Sequence, residues 1–266
     1  GASVYSASAL AKSELPDLDV TIRGAVSIAR RIQDPLAELV KIEAKAIGVG
    51  QYQHDVNQKE LAESLDQVVE SCVNFVGADL NTASIALLTH IAGIKANVAK
   101  SIVAYREENG AFQKRKDLLK VPRLGPAAFE QCAGFLRIVG GKEPLDNTPV
   151  HPESYVVAGK ILAEAGFSTK DLAAKEKLTQ LREAITQMDP KLEAEKLGAG
   201  EPTVRDILAA LVKPGRDPRE DIPLPLTRQN ILKLSDLQIG SIVKGTIQNI
   251  TDFGAFVDIG LKIKGL

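Results

Sequence analysis

Two segments of the sequence repeat one pattern, a helix followed by a glycine-containing hairpin and a second helix, and this repeat constrains the fold most strongly. Residues 83–105 surround a hairpin at residues 91–95, which we call hairpin 1, and residues 118–136 surround hairpin 2 at residues 121–125. Glycine permits the backbone torsions that so tight a hairpin needs. The first turn of the helix that follows has free N–H groups, which favour phosphate. The repeat therefore predicts a helical unit that binds nucleic acid.

Charge is divided unevenly along the chain, although the 266 residues together carry a net charge of −1. Residues 95–126 hold eight basic and three acidic side chains, a net charge of +5, whereas residues 59–94 hold one basic and five acidic ones, a net charge of −4. A run of charge also occurs on any solvated helix face. Because the basic run begins at hairpin 1 and ends at hairpin 2, it indicates a phosphate-binding surface.

The residues around both hairpins resemble a tandem helix-hairpin-helix domain of the ComEA type. The matching stretches are Asn81-Thr82-Ala83-Ser84, the hairpin at Gly93, Ile102-Val103-Ala104-Tyr105-Arg106, Asn109-Gly110-Ala111-Phe112 and Leu118-Leu119-Lys120-Val121. The resemblance implies sequence-independent contact of the hairpins with the backbone of DNA or RNA. Lys95 replaces the second glycine of the family's Pro-Gly-Ile-Gly hairpin in hairpin 1, and Arg123 replaces the first glycine in hairpin 2. Each replacement adds a cation but restricts the torsions, so the alternative is that one hairpin serves only to pack helices.

Helices are also predicted on both sides of this unit. Asn57 and Gly77 are the expected caps of one long amphipathic helix, which we interpret as a connector between domains. Apolar residues recur along this helix at steps of three and four residues, as on one face of a helix. They are Leu61, Leu65, Val68, Val69, Cys72, Val73 and Val76. Cys72 is therefore expected to be buried. Further helical patterns lie around residues 152–165, 171–188 and 203–212, with expected breaks at Pro190, Gly198, Gly200 and Pro202.

The last part of the chain changes to strand character. The β-branched or aromatic runs are residues 242–247 and 253–259, separated by residues 249–252. Phe253 and Phe256 would lie on opposite faces of a flat strand, and a bend at Gly254 would bring both rings to one surface. Exposed aromatic rings stack on bases without reading their sequence, whereas burial in the core is the usual alternative for phenylalanine.

This part of the chain resembles an S1 RNA-binding domain, a five-stranded barrel of the OB type. The matching stretches are residues 240–247, residues 252–260 and Gly265-Leu266. The resemblance implies a face that binds single strands through Phe253 and Phe256, beside the basic strand position Lys244. The family's domain continues beyond the matching stretches, so the chain is expected to stop inside the barrel.

Taken together, the segments resemble the Tex family of transcription accessory proteins. The additional matching stretches are residues 23–31, 34–40, 48–56 and 215–219. The resemblance implies a multidomain, predominantly helical chain. Its parts are the end of an RNase H-like α/β domain at 1–56, a connector helix at 57–78, the tandem helix-hairpin-helix domain at 79–140, a helical domain with loops rich in proline and glycine at 141–235, and the start of an S1 domain at 236–266. Residues 1–56 mix helix and strand patterns, and earlier strands of that domain would precede Gly1.

We predict a non-catalytic scaffold of the cytoplasm that binds RNA or DNA largely independently of sequence and needs no cofactor. The expected partners are nucleic acid, single-stranded at the S1 segment, and RNA polymerase or other transcription proteins; no membrane partner is expected. The residues predicted to contact nucleic acid are Gly93, Ile94, Lys95, Lys114, Arg115, Lys116, Arg123, Leu124, Gly125, Lys244, Phe253 and Phe256.

Two other functions remain open from the sequence. One is a protein-interaction scaffold, in which helices 58–76 and 152–212 dock the transcription machinery. The other is a nuclease of the RNase H-like type, which needs clustered carboxylates to hold two metal ions. Asp17 and Asp19 have the pattern of a turn and Asp34 that of a helix cap, so no metal site and no catalytic residue are predicted.

Overall fold

The computed structural model describes residues 1–48, 50–213, 246–251 and 254–258. It divides into two compact units, Gly1–Arg219 and Glu220–Leu266. Where it is described, the first unit is helical apart from one very short pair of strands, and the described residues of the second form two antiparallel strands. The predicted multidomain, predominantly helical architecture is thus confirmed. Within the described ranges, no helix combines the length and the apolar character needed to cross a membrane.

The N-terminal region consists of four helices and two 3-10 turns. They are α1 (Ala2–Ala7), α2 (Ala9–Glu14), α3 (Val20–Gln33), α4 (Pro35–Leu39) and the turns Ala44–Ala46 and Gln53–Asp55. Asp34 caps α4 as predicted, because its carboxylate accepts a hydrogen bond from the Ala37 N–H at 3.1 Å. The predicted strand content is wrong for the described residues of this region, which contain no strand. The β-branched residues lie instead on α3, a helix that Asp19 caps.

The connector helix α5 spans Gln58–Val76 and has the two predicted caps, Asn57 and Gly77. Its packing differs from the prediction. Val73 is fully buried, whereas Val68 is 55% exposed, Phe75 is 69% exposed and Cys72 is exposed as well. The expected burial of Cys72 is therefore wrong. Successive residues of a helix are about 100° apart. When α5 turns Val73 towards the core, much of the helix's wide apolar face therefore remains in solvent.

The hairpin domain follows α5. Its elements are β1 (Ala78–Asp79), α6 (Ile85–Leu88), α7 (Ala96–Asn109), the 3-10 helices Arg115–Lys120 and Ala133–Phe135, α8 (Pro126–Cys132) and β2 (Leu136–Arg137). The sequence did not predict the parallel pairing of β1 with β2, which joins the beginning of the domain to its end. The core between the helices is formed mainly by Leu80, Leu88, Ile91, Ile102, Leu118, Cys132 and Leu136. Burial raises the pKa of the Cys132 thiol to about 12, so this thiol stays protonated.

A second helical domain has its own core. Its elements are the 3-10 helices Pro144–Asn147, Pro152–Ser154, Thr169–Ala173 and Lys175–Lys177, with α9 (Tyr155–Glu164), α10 (Leu178–Thr186), α11 (Pro190–Leu197) and α12 (Glu201–Val212). Helices are interrupted before Pro190 and at residues 198–200 as predicted, but α11 was not predicted, and Pro190 and Pro202 lie in the first turns of α11 and α12. Proline is tolerated there because the first N–H groups of a helix have no partner inside it. Gly198, with a φ of 63°, ends α11 as expected.

The second unit is described at two strands, β3 (Thr246–Thr251) and β4 (Gly254–Asp258), which pair antiparallel. The predicted strand pair is confirmed, but its boundary is not. Residues 249–251, predicted to separate the strands, belong to β3, where Ile250 and Thr251 are β-branched and suit an extended chain. The register is irregular between Ile247 and Asn249, and Asn249 is the partner of Phe256.

Candidate nucleic-acid interface

The two hairpins share one backbone geometry. In hairpin 1 the Ile94 N–H donates to the carbonyl of Ile91 at 3.0 Å, and the equivalent bond in hairpin 2 is 3.2 Å long. The third residue of each turn has a positive φ, 79° at Gly93 and 71° at Arg123, as in a type II turn. Lys95 and Gly125 then cap α7 and α8. Gly93 is therefore equivalent to Arg123, and Lys95 to Gly125.

Hairpin 1 is held by a side chain of α5. The carboxamide oxygen of Asn74 accepts a hydrogen bond from the Ala92 N–H at 3.0 Å, and its nitrogen donates to the carbonyl of His90 at 3.1 Å. Ile94 at the other side of the turn is buried. Part of the polar backbone of hairpin 1 is thus already bonded within the protein.

Hairpin 1 also packs closely against α8. A Cβ atom added at Gly93 would lie 2.7 Å from the Cβ of Gln131, 3.0 Å from that residue's side-chain oxygen and 3.2 Å from the carbonyl oxygen of Ala128. Ala128 is three residues beyond Gly125, about 4.5 Å along the helix. Hairpin 1 therefore supports the helix that hairpin 2 introduces.

Replacing Gly93 by alanine tests this packing. We expect the free energy of unfolding to fall by about 2–4 kcal/mol, because the new Cβ is crowded and a positive φ is unfavourable for alanine. Gly110 provides a matched control, since its φ is 82° and a Cβ there would meet nothing within 4 Å. Gly110→Ala should cost only the conformational part, about 1–2 kcal/mol. Equal losses in urea unfolding would contradict the close packing of hairpin 1.

Hairpin 2 is open to solvent. Pro122, Arg123 and Gly125 are exposed, while Leu124 is buried like its equivalent in hairpin 1. A Cβ added at Gly125 would meet nothing within 4 Å. Ile94 and Leu124, both predicted to contact nucleic acid, thus have only backbone groups to offer. The accessible hairpin is the one that carries Arg123.

The hairpin domain carries five exposed cations without partners in the described part of the chain. Among the described residues, the following side chains form no ion pair and no hydrogen bond: Lys95, Lys100, Lys114, Lys116 and Arg123. We call these five the cation group. Lys120 differs because it pairs with Asp117 at 2.7 Å, a hydrogen bond that lowers the pKa of that carboxyl. Arg106 also differs, since its guanidinium donates to the carbonyls of Leu80 and Ala83.

Arg115, predicted to contact nucleic acid, is fully buried instead. Its guanidinium donates to the carbonyls of Leu136, Thr148 and Val150 and to the hydroxyl of Tyr155, and its backbone N–H donates to Asp146. Tyr155 in turn donates to Asp146 at 2.6 Å, and burial raises the pKa of Tyr155, which keeps it protonated. Arg115 is therefore a structural residue that joins the two helical domains, and it is not part of the interface.

The predicted aromatic site is described only in part. Phe256 lies in β4 and is half-buried. Lys244 and Phe253 lie outside the described residues, so the predicted Phe253–Phe256 surface stays a prediction.

The carboxylates considered for metal binding have structural roles in helix caps and a turn. Asp19 and Asp34 cap α3 and α4, and Asp17 lies in the turn before α3. Across the described part of the chain, no three histidine, cysteine, aspartate or glutamate side chains come together as a metal site would require.

Four protein-family models match the chain. They are described as the Tex protein YqgF-like domain at residues 1–33, the helix-hairpin-helix motif at residues 73–137, the HHH domain at residues 143–219 and the S1 RNA binding domain at residues 236–266. The third of these regions was predicted only to be helical. Gly198-Ala199-Gly200, a short glycine-containing link between α11 and α12, is the sequence pattern that could have indicated a further hairpin there.

The chain is similar over its whole length to proteins about three times as long. It is 57% identical to "Transcriptional accessory protein Tex" of Neisseria gonorrhoeae and 57% identical to "Protein YhgF" of Escherichia coli, and spans 34% of each. It is 42% identical to "S1 RNA-binding domain-containing protein 1" of Homo sapiens and spans 32% of it. The chain thus corresponds to about a third of proteins that are named as Tex transcriptional accessory proteins, and the domain matches place helix-hairpin-helix segments and part of an S1 RNA binding domain within it.

Proposed function

We propose that this chain is a non-catalytic scaffold that binds the phosphate backbone of RNA or DNA largely independently of base sequence. The observation that carries the proposal is the cation group, five exposed side chains that have no partner among the described residues. Unpaired like charges repel one another and do not stabilise a fold. Contacts from lysine and arginine to phosphate fix the position of a nucleic acid without reading its bases.

The sign of the charge supports the first hairpin domain as the part of the chain that binds the backbone. Residues 143–213, which form most of the second helix-hairpin-helix match, hold nine basic and twelve acidic side chains, a net charge of −3. The hairpin at residues 198–200 leads directly into Glu201, which pairs with Arg205 at 2.6 Å. A carboxylate in the first turn of α12 occupies the position that favours a phosphate. The second domain is therefore assigned a structural or protein-binding role.

Salt titration tests the backbone contact. We expect the logarithm of the association constant to fall linearly with the logarithm of the salt concentration, with a slope of about −0.7 to −0.9 for each phosphate contact. Changing the base sequence of the probe should alter the affinity by less than about fivefold, since a base-specific contact is worth about 1–3 kcal/mol. A slope near zero, or one strongly preferred sequence, would contradict the proposal.

The non-catalytic part is tested separately. Labelled RNA and DNA are incubated with the chain in Mg²⁺ or Mn²⁺, and we expect no product because Asp19 and Asp34 cap helices and Asp17 lies in a turn. Cleavage that a chelator abolishes would identify a nuclease. The proposal places the protein in the cytoplasm, where free cysteines such as Cys72 and Cys132 stay reduced.

A second function, docking of the transcription machinery, is favoured by the exposed side of α5. Val68, Cys72 and Phe75 are exposed at helical spacing on one face. Exposed apolar patches of this kind are typical of protein interaction sites. Capture of RNA polymerase that survives nuclease treatment, and that Phe75→Ser abolishes, would support this function. Capture that nuclease removes would assign the association to nucleic acid.

A further inference from the structure

We propose that, of the two hairpin turns, hairpin 2 binds a phosphate at its apex through Arg123, whereas the turn of hairpin 1 positions hairpin 2 and adds only the exposed side chain of Lys95, which follows that turn. This inference rests on the backbone binding proposed above. It assigns different tasks to two hairpins that share the same turn geometry.

The backbone of Arg123 has an unfavourable conformation. Among the described residues, Arg123 is the only one other than glycine with a positive φ, 71°. Residues with a Cβ are unfavourable in this left-handed region, and glycine, which hairpin 1 has at the equivalent position, is not. Strained backbone of this kind clusters at active sites and ligand-binding sites. Within the described part of the chain, the Arg123 side chain makes no hydrogen bond or ion pair that would favour arginine over glycine here.

The side chain of Arg123 is free to bind a ligand. The residue is exposed, and none of the described residues forms a hydrogen bond or an ion pair with its guanidinium. The open space at Gly125 leaves room for a ligand against the same turn. A planar guanidinium presents paired N–H donors that match two oxygens of one phosphate. An unfavourable backbone conformation thus presents a free phosphate-binding group at the apex of an accessible turn.

Hairpin 1 lacks both properties. Asn74 occupies its Ala92 N–H, and Gly93 faces Gln131 with no room for a side chain. Because Gly93 also lies against the carbonyl of Ala128, hairpin 1 fixes the helix that begins at hairpin 2. This is the arrangement expected if hairpin 2 binds the phosphate and hairpin 1 orients hairpin 2.

Arg123→Gly in the full chain tests the assignment, because it should make the protein more stable and a weaker binder. We expect the melting temperature to rise by about 2–4 °C as the strain is relieved. Affinity for a short mixed-sequence oligonucleotide at low salt should fall about tenfold. The salt slope should decrease by about 0.7 for single-stranded DNA or RNA and by about 0.9 for duplex DNA, the loss of one phosphate contact. The three probes show which nucleic acid supplies that phosphate.

Two controls complete the experiment. Lys170→Gln removes an exposed cation of the second domain and should leave the affinity and the slope unchanged, while Arg123→Lys should keep the slope and lose part of the affinity. An unchanged slope in Arg123→Gly, or a lower melting temperature, would overturn the role of Arg123. If Arg123→Gly left binding unchanged but replacement of the lysines of the cation group weakened it, the proposed function would stand and only the role of Arg123 would fall. Failure of the unaltered chain to bind any probe would instead refute the proposed function.

Discussion

Arg115→Leu is expected to lower the free energy of unfolding of this chain by about 3–5 kcal/mol, the cost of removing one member of a buried charged network. The substitution leaves the carbonyls of Leu136, Thr148 and Val150 without a donor in the interior. It also leaves Asp146 and Tyr155 bonded to each other without the neighbouring cation. Each buried polar group without a partner costs about 1–3 kcal/mol.

Urea unfolding followed by circular dichroism measures this effect, and the neighbouring lysine provides a matched control. Lys114→Leu removes a cation one residue away, but that side chain is exposed, so stability should change by no more than about 0.5 kcal/mol. Arg115→Lys should recover only part of the loss, because an ammonium cannot reproduce the planar donors of a guanidinium. A loss below about 1 kcal/mol for Arg115→Leu would contradict the network.

The second large effect is expected on nucleic-acid affinity. Changing Lys95, Lys100, Lys114 and Lys116 together to glutamate should lower the affinity at low salt on the order of 1,000-fold and reduce the salt slope by about 3–4. The four side chains are exposed and make no ion pair with described residues, so the fold should be retained. Circular dichroism checks the fold, and fluorescence anisotropy of a labelled oligonucleotide measures the affinity.

A variant with the same change in net charge distinguishes a local surface from overall attraction. Lys12, Lys160, Lys170 and Lys191 are also exposed, and within the described part of the chain they form no ion pair. Their joint change to glutamate should reduce the affinity only a few-fold, since exposed charges more than about 10 Å from the bound phosphates are screened by salt. Equal losses in the two variants would show that net charge, and not the cation group, determines binding.

Features that depend on neighbouring residues, such as helix caps and tight turns, were predicted well from the sequence. Asn57 and Gly77 end α5 as expected, because a cap depends on hydrogen bonds to the adjacent turn. The two hairpins and their departures at Lys95 and Arg123 were also recognisable, since a turn is encoded by a few consecutive residues. The same reasoning located the strand pair at the end of the chain, with an error of a few residues in β3.

Burial that depends on distant segments was not predictable in this way. Arg115 has the same local sequence signal as Lys114 and Lys116, and only the carbonyls of residues 136–150 distinguish it. Cys72 and Val73 are adjacent on one apolar helix, and which of them is buried depends on where the hairpin domain packs. The unequal tasks of the hairpins depend likewise on Asn74 and on α8, elements outside either turn.

Because β1 and β2 are parallel neighbours, the chain enters and leaves the hairpin domain side by side and in the same direction. Paired strands lie about 4.8 Å apart, so the two ends of residues 80–135 are adjacent, which is the arrangement that tolerates insertion of a domain. An exchanged domain would still have to keep the contacts that Val73 and Asn74 of α5 make with this one. An exchanged domain would also need an arginine at the position of Arg115 to bond the carbonyls of Thr148 and Val150 in the second helical domain.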